Sequence, residues 1–237
     1  MRHDGSMPTE PEIALISDGV FFSRPAPLPR GKHNIARNEV QAAQRERIMI
    51  AATELLAARG YRSLGAREVC ERAGVSLSAY YALFDDRDGA IFAAYDRFIE
   101  VLLGRLAAVT DDDRTWQEYV EAVMAAYFDA LSADLVVARA FQVELDGMGR
   151  PARERRRNAL GGLAAMLRTQ HLDVDPGAAA RIPEAAYVTG VYGVRQLASD
   201  ALDRHDARNG PDAVRADLDR VRADAVDWVT RLFGDAA

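Results

Sequence analysis

The stretch Ala73-Gly74-Val75-Ser76 is the tightest constraint on how this chain can fold. A two-turn helical pattern from Ala66 to Arg72 runs into it, and the Ser76 hydroxyl can cap a second helix over 77–84. So short a connection, with Gly74 supplying the backbone freedom of a tight turn, brings two helices together at a steep angle as a helix-turn-helix. Val69, Ala73, Val75, Tyr80 and Phe84 fall on the side that fills the angle. Arg67, Ser76, Leu77, Ser78 and Tyr81 fall outward, where a recognition helix meets the major groove. Two packed helices of an ordinary bundle give the same pattern, so the surrounding chain has to decide.

That surrounding chain reads as helix throughout. Ile48, Ala51, Ala52, Leu55 and Leu56 recur at helical spacing, and Gly60 follows at a capping position. Further helices are predicted over 88–109, 115–131, 133–148, 151–171, 183–205 and 212–233, and no run alternates as a strand would. The predicted fold is all-α: an N-terminal three-helix helix-turn-helix domain and a larger C-terminal helical domain. The expected boundaries are a flexible basic arm over 1–40, a helix-turn-helix domain over 41–101 with its helix-turn-helix at 65–84, and a larger helical domain over 102–237.

Composition narrows the class. Of 237 residues, 49% are hydrophobic and 28% charged, too apolar for wholesale disorder. Cys70 is the single cysteine, which excludes a disulfide-built scaffold, and no apolar run is long enough to span a bilayer. A reducing, cytoplasmic setting is expected. The net charge of -6 conceals an asymmetry: residues 24–87 carry +4 and residues 88–237 carry -7. A basic segment beside an acidic body suits a polyanion-binding module on a separate scaffold. Five of the nine prolines lie at 8, 11, 25, 27 and 29, so residues 1–37 read as an extended, largely disordered arm. Its basic cluster, Arg30, Lys32 and Arg37, either reaches a DNA backbone or minor groove or is a solvated tail.

Other chemistry is sparse. The four histidines stand apart from any ligand set, and no nucleophile elbow or phosphate loop occurs, so no metal, cofactor or enzymatic activity is expected. His171 and His205 suit helix C-termini. Cys70 reads as a small core residue. Arg153, Arg155, Arg156 and Arg157 read as a solvated face, and Gly161-Gly162 as a site of close packing or a pocket wall.

The context of the helix-turn-helix closely resembles the N-terminal domain of the tetracycline-repressor (TetR) family. The likeness covers about residues 41–101 and rests on three stretches. The first is Arg45-x-x-Ile48-x-x-x-Ala52-x-x-Leu55-Leu56-x-x-x-Gly60-Tyr61; the second is Val69-x-x-x-Ala73-Gly74-Val75-Ser76; the third is Tyr81-x-x-Phe84-x-x-Arg87-Asp88. The resemblance implies DNA contact by Arg45, Arg67, Ser76, Leu77, Ser78, Tyr81 and Arg87, helped by the arm's Arg30, Lys32 and Arg37. The chain departs from the family's pattern at Leu64, Gly65 and Ala79, which replace threonines, and at Leu83; each change removes a phosphate hydrogen bond.

For the C-terminal part the resemblance implies a small-molecule effector in a cavity, assigned to Phe98, Trp116, Tyr119, Met124, Tyr127 and Phe141. Apolar stripes on the last two helices, Tyr187, Val191, Val194 and Leu197 with Val214, Leu218, Val221 and Trp228, read as a homodimer interface, with part of each facing the chain's own core; the alternative is that they face that core alone. Gly190 and Gly193 would let the partner's helix approach. The expected function is a one-component regulator, a repressor released from a palindromic DNA operator by its ligand. The repressor sense comes from the resemblance, since the residues alone are equally those of an activator. The rival is a helical small-molecule-binding protein or enzyme that has lost operator binding.

Overall fold

The computed structural model describes residues 13–26, 36–109, 114–204 and 210–234. Ten α-helices occur among them: α1 (Arg37–Arg59), α2 (Ala66–Ala73), α3 (Leu77–Tyr81), α4 (Gly89–Ala107), α5 (Trp116–Ala133), α6 (Leu135–Gln142), α7 (Arg150–Val174), α8 (Ala178–Arg181), α9 (Glu184–Asp203) and α10 (Gly210–Phe233). No strand is present among the described residues; a single bridge joins Asp18 and Phe22. The fold is all-α, with an N-terminal helix-turn-helix and a larger C-terminal helical domain.

Local chemistry accounts for most boundaries. Gly60 ends α1 at a φ of 69°, and Gly74 ends α2 in the left-handed region, at φ 66° and ψ 38°. Thr115 and Glu118 form a reciprocal capping box at the start of α5. The predicted helix over 133–148 is instead two elements. Asp134 caps α6 anew by accepting from the N–H groups of Val136 and Val137, and after Gln142 the chain tightens into a 3-10 turn, Glu144–Met148. Gly149, at a φ of 78°, and Pro151 in the first turn then start α7. The recognition helix ends at Tyr81, short of Phe84, and α8 has no counterpart in the sequence reading.

Helices α5, α7, α9 and α10 build the C-terminal body, and α1 lies against both α4 and α6. Phe98, Phe128, Phe141 and Leu131 are among its largest fully buried side chains. Gly190 and Gly193 do admit a close neighbour, but it is α10 of the same chain. A Cβ on Gly190 would lie 3.2 Å from the Phe233 ring, and one on Gly193 would lie 3.6 Å from Trp228. Gly161 and Gly162 face open space, so they are neither a packing contact nor a pocket wall.

The largest correction concerns the arm. Ile16, Phe21 and Phe22 are buried at 2–4% exposure, so the segment over 13–26 is a packed strap rather than a free tail. Phe21 lies against Phe98 of α4 with ring centroids 5.2 Å apart. The backbone N–H of Ile16 donates to Glu54 Oε1 (3.1 Å), and that of Ser17 donates to Asp134 Oδ2 (2.8 Å). Arg24 also reaches Glu54 Oε1 (2.5 Å), while Arg72 of α2 donates to Glu54 Oε2 (2.6 Å). The prolines at 25, 27 and 29 obscured this, because the strap has no helical or strand period to detect.

Two changes test the strap. Phe21→Ala should cost about 3–5 kcal/mol of unfolding free energy, as a large aromatic leaves a filled core. Glu54→Ala should cost on the order of 3 kcal/mol, since it leaves Arg72 and Arg24 without their shared carboxylate. Urea denaturation followed by circular dichroism reads both; losses below 1 kcal/mol would return the segment to a tail.

Candidate nucleic-acid interface and the cavity behind it

The presentation of α3 follows from its caps. Ser76 Oγ accepts from the Ala79 N–H (3.2 Å) and also lies 2.9 Å from Ser78 Oγ. Tyr80 is fully buried, and its hydroxyl donates to the Arg87 carbonyl (2.9 Å), tying the inner face of α3 to the loop before α4. Burial pushes the Tyr80 phenol far above its ordinary value, so it stays a neutral donor. The opposite face is left open: Leu77 is 40% and Tyr81 55% exposed, unusual for residues of that size. Ser76 and Ser78 are exposed beside them.

The basic residues divide into two groups. Arg67 on α2 and Arg37 in the first turn of α1 are exposed and form no ion pair among the described residues. Arg45 and Arg87 are already engaged. Arg45 donates to the Leu83 carbonyl (3.2 Å) with its guanidinium 4.5 Å from the Phe84 ring centre, so it braces the end of the recognition helix. Arg87 pairs with Asp88 (3.0 Å), bonds the Tyr61 hydroxyl and stacks over the Tyr61 ring. A phosphate would have to share these two arginines with the protein. Arg30 and Lys32 lie outside the described residues.

Behind this domain, α4, α5, α6, α7, α9 and α10 enclose a cavity. It holds about 90 Å³ of room for the centre of a water-sized sphere. Phe98, Trp116, Met124, Tyr127 and Phe141 line it, as the sequence reading assigned. Tyr119 does not: it is buried against Trp116, with centroids 5.8 Å apart. Tyr187, Val191 and Val194, read as dimer contacts, also line the cavity. His171 does sit in the last turn of α7, but it is buried, stacked 3.8 Å from Trp116 and bonded to the Tyr187 hydroxyl (2.8 Å).

Arg195, Arg156 and Gln142 supply the polar part of the cavity wall, and the sequence reading missed all three in this role. Arg156 had been grouped with a solvated face; it lines the cavity and bonds Asp146. Arg155 is paired too, with Asp96 (2.7 Å). Burial, reinforced by Arg156, lowers the Arg195 pKa. Burial likewise raises Tyr95 to about 12, so its hydroxyl is neutral at physiological pH. Among the described residues no group of three histidine, cysteine, aspartate or glutamate side chains could hold a metal ion. Among the described residues no helix is long and apolar enough to cross a membrane.

The dimer assignment needs the same correction as the arginines. Tyr187, Val191, Val194, Leu218 and Val221 are buried at 7% exposure or less within the single chain. Leu197, Val214 and Trp228 are only partly buried and pack against that core. A stripe along a helix looks the same whether it faces its own core or a partner. The outward apolar side chains on these helices are Tyr192, 38% exposed, and Leu232, 54% exposed.

Comparison with known proteins agrees with this geometry. Residues 48–94 match the family described as bacterial regulatory proteins, tetR family. The HTH-type transcriptional activator FasR of Mycolicibacterium smegmatis is 31% identical over 125 residues, which are 52% of this chain and 54% of FasR. The match therefore spans about half the length of that relative. Among solved structures, the fatty acid degradation regulator FadR of Bacillus halodurans aligns with a TM-score of 0.64 at 15% identity, covering 77% of this chain and 94% of its own. FadR of Bacillus subtilis, in complex with stearoyl-CoA, gives 0.61 at 18% identity over 76% and 96%. A transcriptional regulator from Rhodococcus sp. Rha1 gives 0.55 at 25% identity over 78% and 96%. The TetR-family resemblance read from the sequence is borne out: residues 48–94 match the family's model, and the fold is the one these regulators share.

The division among the basic residues generates a prediction. Arg67→Ala should cost roughly 1–3 kcal/mol on the preferred duplex and flatten the preference among sequences. Tyr81→Phe should weaken all duplexes alike, because a phosphate contact positions without specifying. Arg45→Ala should lower thermal stability as well as affinity, which separates its bracing role from a purely external contact. Fluorescence anisotropy on matched and scrambled duplexes, beside thermal melts, checks all three.

Proposed function

We propose that this chain, with its tetR-type N-terminal domain, is a ligand-responsive transcriptional regulator that binds a pseudo-palindromic operator as a homodimer. The observation that carries the reading is the exposed face of α3, Ser76 to Tyr81, within the segment that matches the family. Two copies would set their α3 helices in successive major grooves, about 34–36 Å apart. In its first form the regulator is a repressor freed by its ligand. The name of the M. smegmatis relative, an activator, favours a second form, in which the same binding recruits transcription. Both use one mechanism, and operator position decides between them. Catalysis has no part in either, and the protein would act in the cytoplasm, where its DNA lies.

The ligand acts by binding one spacing of the two α3 helices better than another. A contiguous set of contacts is available for this. Phe98 lines the cavity and lies against Phe21 of the strap. The strap's Ile16 and Arg24 hold Glu54, whose other oxygen holds Arg72 on α2. The 3-10 turn Glu144–Met148 offers a second route, since it packs against the Tyr61–Ser63 turn and Tyr61 donates to Asp88 (3.0 Å). Outward Tyr192 and Leu232, with part-buried Leu197 and Trp228, supply the apolar surface for the partner copy.

Selection of duplexes from a random pool tests the reading. A palindromic sequence should be enriched, and its affinity should fall linearly on logarithmic axes as salt rises. No enrichment, or an affinity indifferent to salt, would favour a protein that binds small molecules alone. Light scattering after size exclusion should give a dimer. Tyr192→Glu with Leu232→Glu should give folded monomers with operator affinity reduced at least tenfold. Val194→Glu with Val221→Glu should unfold the protein instead, because both side chains are internal.

A further inference from the structure

The cavity contains a buried charge that pairs with no carboxylate among the described residues. Arg195 is 8% exposed and forms no ion pair among the described residues. Its guanidinium bonds the Gln142 carbonyl and lies 3.4 Å from Gln196 Oε1. Capping that carbonyl does not require a cation, since Ser199 Oγ already donates to it (3.0 Å). The carboxylate that favours the Arg195 charge from a distance, Asp146, is bonded to Arg156. Two guanidinium groups thus share one carboxylate, and the cavity wall keeps an excess positive charge. A buried cation without a counter-ion is costly, and replacing it by an apolar residue would be favourable unless something supplies the anion.

Around the guanidinium the wall changes character sharply. The Tyr127 hydroxyl and Gln142 Oε1 are buried without a hydrogen bond of full geometry. The Gln142 side chain lies near enough to favour the Tyr127 phenolate only weakly against burial. Beyond them the lining is aliphatic, including Leu102, Leu106 and Leu163. Its 90 Å³ corresponds to roughly six to nine waters, about the bulk of an eight-carbon acid.

We propose that the cavity takes an amphiphilic monoanion, a carboxylate on an apolar body. The carboxylate pairs with Arg195, and the body lies among the leucines of α4 and α7. The inference rests on the cavity being the effector site but concerns what the site holds. Tyr127 completes the head-group site by donating its unpaired hydroxyl hydrogen to the carboxylate. An apolar molecule without an anionic head would fill the space yet leave the guanidinium charge as it was, which gives the site its preference.

Titration of the full chain with octanoate, octanol and octylamine tests this, with Trp116 fluorescence and calorimetry as readouts that need no DNA. Octanoate should bind at least tenfold more tightly than octanol, and octylamine should not bind. In Arg195→Met, octanoate and octanol should bind alike, and the empty variant should melt no lower than the wild type. Octanol equal to octanoate in the wild type, no binding of either, or an Arg195→Met variant that keeps the carboxylate preference would each overturn the proposal. The wild-type comparison stands even if the variant fails to fold. Octanoate binding that leaves operator affinity unchanged would uphold the site and refute the effector reading, so the two fail separately.

Discussion

One carboxylate, that of Glu54, holds the two halves of this protein in a single arrangement. It is 2% exposed on α1, and a charge so deeply placed survives only if every lone pair is engaged. Its partners come from three places: the backbone of Ile16, the guanidinium of Arg24 and the guanidinium of Arg72. The strap is fixed to α1 and α2 by these bonds, and to the α5–α6 junction by Ser17 on Asp134. Burial pushes the Asp134 carboxyl above its ordinary value, while the N–H groups of Val137, Ser17 and Val136 act the other way. Helix α2, which packs against α3, is therefore tied by charge to a segment whose Phe21 lies against Phe98 of the cavity wall.

That coupling gives a cavity in the C-terminal body a physical means of acting on DNA-facing residues. Phe98 presents one side to the cavity and the other to Phe21. A densely packed interior has few intermediate arrangements, so a ligand that displaces Phe98 favours a second discrete packing over a graded deformation. Arg45 and Arg87, bonded to the end of α3 and to Tyr61 and Asp88, link recognition-helix position to the same framework. A phosphate contact by these arginines would compete with the bonds that brace them here.

The sequence was most legible where local rules act alone. Gly74, Ser76 and the spacing between them define the helix-turn-helix because backbone conformation and capping depend on adjacent residues. The structure agrees with the reading there to the individual hydrogen bond. Five of the six assigned aromatic and methionine residues line the cavity, since large side chains on facing helices have few other destinations. What failed was everything set by the other side of a contact. The strap lacked periodicity and was taken for a largely disordered arm, though Phe21 and Phe22 are buried at 3% and 2% exposure. Apolar stripes on α9 and α10 read as a dimer interface serve the chain's own core at Val191 and Val221, and the sequence could not say which positions turn inward. Arg156 looked like one more member of a charge run, and Arg195 looked like nothing in particular. No local signal in a sequence marks a cation whose carboxylate is missing.

The regulator reading makes the separation of the two recognition helices the decisive variable. It can be measured by pulsed electron resonance on Glu100→Cys protein with Cys70→Ala, spin-labelled at an exposed site of α4 away from the residues assigned to DNA contact. On its selected duplex the dimer should give one narrow inter-subunit distance, fixed by α3 helices about 34–36 Å apart. Octanoate should broaden or move that distribution as the duplex is released. A protein that yields no inter-subunit distance, or one whose distance is indifferent to both duplex and octanoate, would contradict it.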